Sequence, residues 1–108
     1  MEPRSEFAVL VTPGSNDLRV TVTGELDIAV ADELYNIVLK DLSDGTNLIL
    51  DFAGVTFCDS SGIKTLVRLF KHQADVGGTL RLINTADAVR RVIEIAGLAR
   101  YLGINREG

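Results

Sequence analysis

Hydrophobic and polar positions divide the chain into segments of two periods. Phe7 to Val11 is a short apolar run, closed by the turn residues Pro13-Gly14-Ser15-Asn16-Asp17. Leu18, Val20 and Val22 then alternate with Arg19, Thr21 and Thr23, the mark of a strand with one wet face. These two runs are expected to pair antiparallel. Gly24-Glu25-Leu26-Asp27 ends the second, and the period changes to that of a helix, with Val30, Leu34, Ile37 and Val38 on one face. Asp27 is the expected cap or near-cap acceptor. Asp32 and Glu33 fall in the early turns, where carboxylates suit the helix dipole. Ser43-Asp44-Gly45 stops the helix.

Leu48-Ile49-Leu50-Asp51-Phe52 is apolar almost without alternation, which predicts a central strand covered on both faces. After Ala53-Gly54 comes a second short run, Val55 to Cys58. A helical pattern follows, carried by Ile63, Leu66, Val67, Phe70 and Ala74 and ended by Val76-Gly77-Gly78. Thr79 to Ile83 reads as a strand. Asn84-Thr85 can cap a third helix with Ala86, Val89, Val92, Ile93 and Ala96, stopped by Gly97, and Tyr101 to Ile104 is a candidate last short strand. The order β-β-α-β-α-β-α predicts an α/β domain. Its sheet is mixed and mostly parallel, with an N-terminal antiparallel pair and right-handed crossovers. One domain is expected over residues 1–108, with its core at about 6–104.

The 108-residue length suits that reading. A domain of this size buries roughly 65% of the surface its unfolded chain exposes, enough for one core without staples. A net charge of −4 and a pI of about 4.8 argue against nucleic acid as a partner, which calls for a clustered positive field. No apolar run approaches the ~20 residues of a membrane span, and Met1 to Glu6 lacks the pattern of a signal peptide. A cytoplasmic protein is expected. Cys58 is the lone cysteine, so no disulfide can form within the chain, and its apolar run predicts an inert buried thiol.

Candidate chemistry concentrates at Asp59-Ser60-Ser61-Gly62, where an apolar run meets a helix. Ser60 and Ser61 can cap the helix, or one of them can be a phosphoacceptor. A helix N-terminus favours negative charge, so the fold would tolerate a phosphate there. Its effect would fall on whatever docks at that surface. Glu25 and Asp27 also follow a strand C-terminus and are expected at the same end of the sheet. Lys64, Arg68, Lys71 and His72 form a stripe down the second helix, headed by Ser60, that is either a solvated face or a docking surface.

Catalysis finds little support. Ser61-Gly62-Ile63-Lys64 matches the S-x-x-K nucleophile motif, but the companion S-D-N and K-T-G motifs are absent. His72 lies about 18 Å along the helix from Ser60 at 1.5 Å per residue, too far for a hydrogen bond, and is expected to face solvent. No phosphate-binding loop occurs and no cluster has metal-ligand spacing, so neither cofactor nor metal is expected.

Thr23-Gly24-Glu25-Leu26-Asp27, Leu50-Asp51-Phe52 and Val55 to Ile63, with Gly77-Gly78 before Leu80-Arg81-Leu82 and then Ala96-Gly97-Leu98, resemble a STAS domain. The resemblance is specifically to the bacterial anti-sigma factor antagonists, and it spans about residues 6 to 104. It implies a non-enzymatic partner of an anti-sigma factor that is also a serine kinase. Binding would free a sigma factor, phosphorylation of Ser60 would break the complex, and a metal-dependent serine phosphatase would restore it. Asp27 matches an acidic interface position, and Asp59, Ser61 and Gly62 match the loop around the phosphoacceptor. Glu25, Lys64 and Arg68 complete the expected partner-binding set. Family members often continue into a further C-terminal helix, whereas here the sequence stops at Ile104-Asn105-Arg106-Glu107-Gly108. A monomer and a weak dimer are both compatible with the sequence. STAS domains also serve as non-switching scaffold or regulatory subunits of signalling assemblies and lipid transporters, where the serine would be only a cap.

Overall fold

The computed structural model describes residues 6–103. Four strands and three helices follow in the order β1 (Ala8–Pro13), β2 (Asp17–Leu26), α1 (Ala31–Asp41), β3 (Asn47–Cys58), α2 (Ser60–Asp75), β4 (Thr79–Ile83) and α3 (Asp87–Ile95). The sheet order is β1-β2-β3-β4. β1 and β2 are antiparallel, and β2, β3 and β4 are mutually parallel. This is the mixed sheet that the alternation of strands and helices predicts.

The alternation of β2 puts Leu18, Val20, Val22 and Leu26 into the core, where none is more than 2% exposed. They join Leu34 and Val38 of α1, Leu48, Leu50 and Phe52 of β3, Leu66 and Leu69 of α2, and Leu80 and Leu82 of β4 in a single cluster. Helices α1 and α2 pack on each other over this face. A buried hydrogen bond from Thr65 Oγ1 to the Ala31 carbonyl, 3.1 Å long, fixes their relative height. Val89 and Ile93 of α3 are buried, and that helix packs against β3.

Four expectations change. First, the strand expected at Leu48–Phe52 continues without a break through the second apolar run, Val55–Cys58. β3 carries extra residues against β2 at two places, between Thr21 and Thr23 and between Gly24 and Glu25. Each shift reverses which residues face the core. Buried positions therefore run Leu48, Leu50, Phe52, then Val55, then Cys58.

Second, the central strand is not covered equally on both sides. Ile49 is half-buried and shares its face with the registered, exposed Arg19 and Arg81. Asp51, on that same face, is only 8% exposed. It accepts hydrogen bonds from Arg19 Nη2 at 3.0 Å, the Ala53 N–H at 3.0 Å and Asn84 Nδ2 at 3.2 Å.

Third, Asn84 does not cap α3. It takes the left-handed conformation, φ 59°, and spends its amide on Asp51, while Ala86 stands at the N-cap without a side-chain bond. Fourth, at the end of the described chain, residues 101–103 form a turn rather than a strand, and the Leu82 N–H of β4 donates to the Leu102 carbonyl at 2.8 Å. Ile104, the last residue of the expected strand, lies outside the described residues.

Candidate functional site

The C-terminal ends of β2 and β3 lie side by side, with Leu26 registered against Cys58. The Asp59 N–H donates to the Leu26 carbonyl at 3.3 Å, so the ladder extends one residue beyond the strand. α2 then begins at once. Asp59 is its N-cap, in extended conformation. Oδ1 accepts the N–H of Ser61 at 2.8 Å and of Gly62 at 3.2 Å. This corrects the expectation that one of the serines caps: the carboxylate satisfies two otherwise orphaned amides. Ser60 is left as the first helical residue, exposed, with no side-chain hydrogen bond among the described residues.

Gly62 lies beneath this surface. A Cβ there would stand 2.7 Å from Cys58 Sγ, 2.8 Å from the Leu26 carbonyl oxygen and 2.9 Å from Leu26 Cγ. Only glycine lets the first turn of α2 sit this close to the strand ends. Gly24, with φ +97°, does the same for the neighbouring strand, where a Cβ would meet the Glu6 carbonyl oxygen at 2.7 Å. Cys58 is 4% exposed. Burial, and then the Asp59 charge, push its thiol up to about 11.

Asp27 is fixed by its own turn. Its Oδ1 accepts the Ala29 N–H at 3.0 Å, and its carbonyl accepts the N–H groups of Val30 and Ala31 at 3.1 and 2.9 Å. It is thus a near-cap acceptor, while Val30 is the N-cap of α1 and makes no side-chain bond. Glu25 is half-buried and registered beside the exposed Phe57.

On α2, Lys64 and Arg68 are exposed, as is Lys71, whereas His72 is half-buried rather than solvent-facing. Arg68 is already engaged with α1: its guanidinium is 3.1 Å from Asp32 Oδ1 and lies 3.8 Å from the centre of the Tyr35 ring. Between the starts of α1 and α2 runs a shallow groove of about 150 Å³, lined by Ile28, Asp32, Ser61, Lys64, Thr65 and Arg68 among others. The structure therefore brings Asp27, Asp59, Ser60, Ser61, Lys64 and Arg68 to one end of the molecule.

Ile28 is the residue the periodicity misses. It sits in the turn between two regular elements and is 79% exposed. Its signal was available only as an apolar residue directly after the acidic end of a strand.

Asp59 Oδ1 is committed to the two amides, which leaves the neighbouring Ser60 hydroxyl free of the capping role. Among the described residues no group of three or more His, Cys, Asp or Glu could hold a metal ion. No helix among the described residues is long and apolar enough to cross a membrane.

Comparison with known proteins agrees with this architecture. The Bacillus subtilis (strain 168) anti-sigma-B factor antagonist is 30% identical over 95 residues, covering 88% of this chain and 87% of that protein. A solved anti-sigma factor antagonist from Mycobacterium paratuberculosis is 26% identical with a TM-score of 0.74, covering 88% of this chain and 81% of that one. Part of a murine Solute Carrier 26 family anion transporter is also similar, at 27% identity and a TM-score of 0.71, over 82% of this chain and 15% of the transporter. The family model for the STAS domain matches residues 8–107, and the chain belongs to the STAS domain family.

Proposed function

We propose that this protein is an anti-sigma factor antagonist that binds an anti-sigma factor with serine kinase activity and so releases a sigma factor. Phosphorylation of Ser60 by that kinase breaks the complex, and a serine phosphatase resets it. The observation that carries this reading is the division of labour at the start of α2. Asp59 caps the helix, and Ser60 stands exposed beside it with its hydroxyl uncommitted. The names of the similar proteins support the same class.

A phosphoryl group on Ser60 adds about −1.5 to −2 charge next to the Asp59 carboxylate. The helix N-terminus tolerates that charge. A partner surface fitted to a neutral hydroxyl meets both bulk and repulsion.

The test is direct. The protein is incubated with ATP and the anti-sigma factor serine kinase of its own organism, and the site is mapped by mass spectrometry. Phosphate on Ser60, removed by a metal-dependent serine phosphatase, is the expected result. A chain that stays unmodified at Ser60 sinks the reading.

A second reading, a regulatory domain without a switch, draws on the likeness to part of the anion transporter. Under it, Ser60→Asp leaves partner binding unchanged.

A further inference from the structure

Two isoleucines of this chain are almost equally exposed, Ile28 at 79% and Ile95 at 80%. Their surroundings differ. Ile95 ends α3, away from the candidate site. Ile28 stands on a turn that three hydrogen bonds to Asp27 hold in place: Ala29 N–H to the carboxylate, and Val30 and Ala31 N–H to the carbonyl. It forms one wall of the groove whose other wall carries Ser61, Lys64 and Arg68. A side chain displayed on a pinned turn loses little freedom when something covers it, which is how apolar anchors of interfaces gain affinity.

The charges in the groove are unequally committed. Arg68 is paired with Asp32 and stacked on Tyr35. Lys64 has no ion pair among the described residues. The groove thus offers an apolar wall, a serine one residue after Ser60, and one uncommitted cation.

We infer that Ile28 is the apolar anchor of the kinase interface. The kinase covers it with an apolar side chain and sets a carboxylate against Lys64. This rests on the function proposed above and names which residues of the site supply affinity rather than the switch. Ser60 decides whether the partner can stay, and Ile28 with Lys64 decides how tightly it holds.

The experiment measures binding of the full chain, by calorimetry or interferometry, to the kinase that phosphorylates Ser60 in the assay above. Ile28→Ala is expected to weaken binding on the order of tenfold, with an unchanged melting temperature because the side chain is exposed. Ile95→Ala, matched for exposure, is expected to change binding less than twofold. Lys64→Ala is expected to weaken binding severalfold and to flatten its dependence on salt. Ile28→Ala within twofold of wild type, while Ser60→Asp abolishes binding, overturns the anchor and leaves the proposed function standing. Equal losses from Ile28→Ala and Ile95→Ala also overturn it, since the effect would be general stickiness. Wild-type protein that neither binds the kinase nor is phosphorylated by it overturns both readings.

Discussion

The Asp59 carboxylate accepts the backbone N–H of Ser61 at 2.8 Å, and this bond gives the capping of α2 to Asp59 rather than to Ser60. A charge added at Ser60 would therefore leave the cap intact. The consequence is measurable. Asp59→Ala is expected to cost about 1 kcal/mol, the usual loss for removing a side-chain cap. Ser60→Ala is expected to stay within about 0.5 kcal/mol, as for surface substitutions that break no contact. Urea unfolding of the two variants decides it. A larger loss from Ser60→Ala than from Asp59→Ala would mean that the serine holds the helix after all.

Gly62→Ala is expected to destabilise the fold by about 1–3 kcal/mol, the range for overpacking a tight core. The added methyl would meet Cys58 Sγ at 2.7 Å and the Leu26 carbonyl oxygen at 2.8 Å. The first contact can be relieved by shortening a side chain, but the second is backbone and cannot. Cys58→Ala in the Gly62→Ala background should therefore restore little. Full recovery of the denaturation midpoint in the double variant would show that the sulfur alone sets the limit.

Much of this arrangement is legible in the sequence. Element order, the antiparallel opening pair and the strand-to-helix junction at Asp59-Ser60 follow from local period and turn chemistry, which act over a few residues. What the sequence conceals depends on pairing. The bulges of β3 shift the core-facing positions from Phe52 to Val55 to Cys58, and from one strand alone this looks like two runs broken at Ala53-Gly54. Asn84 carries the composition of a helix cap, but a carboxylate 33 positions earlier in the chain claims its amide. Arg68 reads as a free cation on a helix stripe, yet Asp32 and Tyr35 of α1 occupy it. Tyr101 to Ile104 reads as a strand, but the described residues 101–103 form a turn whose Leu102 carbonyl accepts the Leu82 N–H of β4.

Asp51 should govern the acid limit of stability. Burial pushes its carboxyl up, but the hydrogen bonds from Ala53, Arg19 and Asn84, with the Arg19 charge, outweigh it and hold it below the usual carboxylate value. A depressed native value means that the unfolded chain binds the proton more readily. The stabilisation is then fully present above about pH 3.8, the ordinary carboxylate value, and is lost as pH falls through the native one. Asp51→Asn is expected to lose about 1–3 kcal/mol at pH 7, because the partners of a buried acceptor are left poorly satisfied. The gap between variant and wild type should narrow steadily below pH 4. Denaturation midpoints from pH 7 to pH 2.5 test this, and a gap that stays constant with pH would assign the loss to packing alone.

Cys58 provides a probe of the same junction. Its thiol is 4% exposed and donates weakly to the Asp59 carbonyl at 3.7 Å. Burial and then the Asp59 charge raise it to about 11. A raised value keeps the neutral thiol, so at pH 8 the reactive thiolate is scarce as well as inaccessible. Labelling by a disulfide reagent in native buffer should therefore be slow and should accelerate with urea as the protein opens. In Gly62→Ala, where the new methyl presses on the sulfur, labelling at zero urea should be faster than in wild type. Ser60→Asp should label at the wild-type rate, because it adds charge outside the packed junction without disturbing the Asp59 cap. Rapid stoichiometric labelling of the wild-type protein in native buffer would contradict the closed junction, and with it the claim that a charge on Ser60 leaves the fold beneath it unchanged.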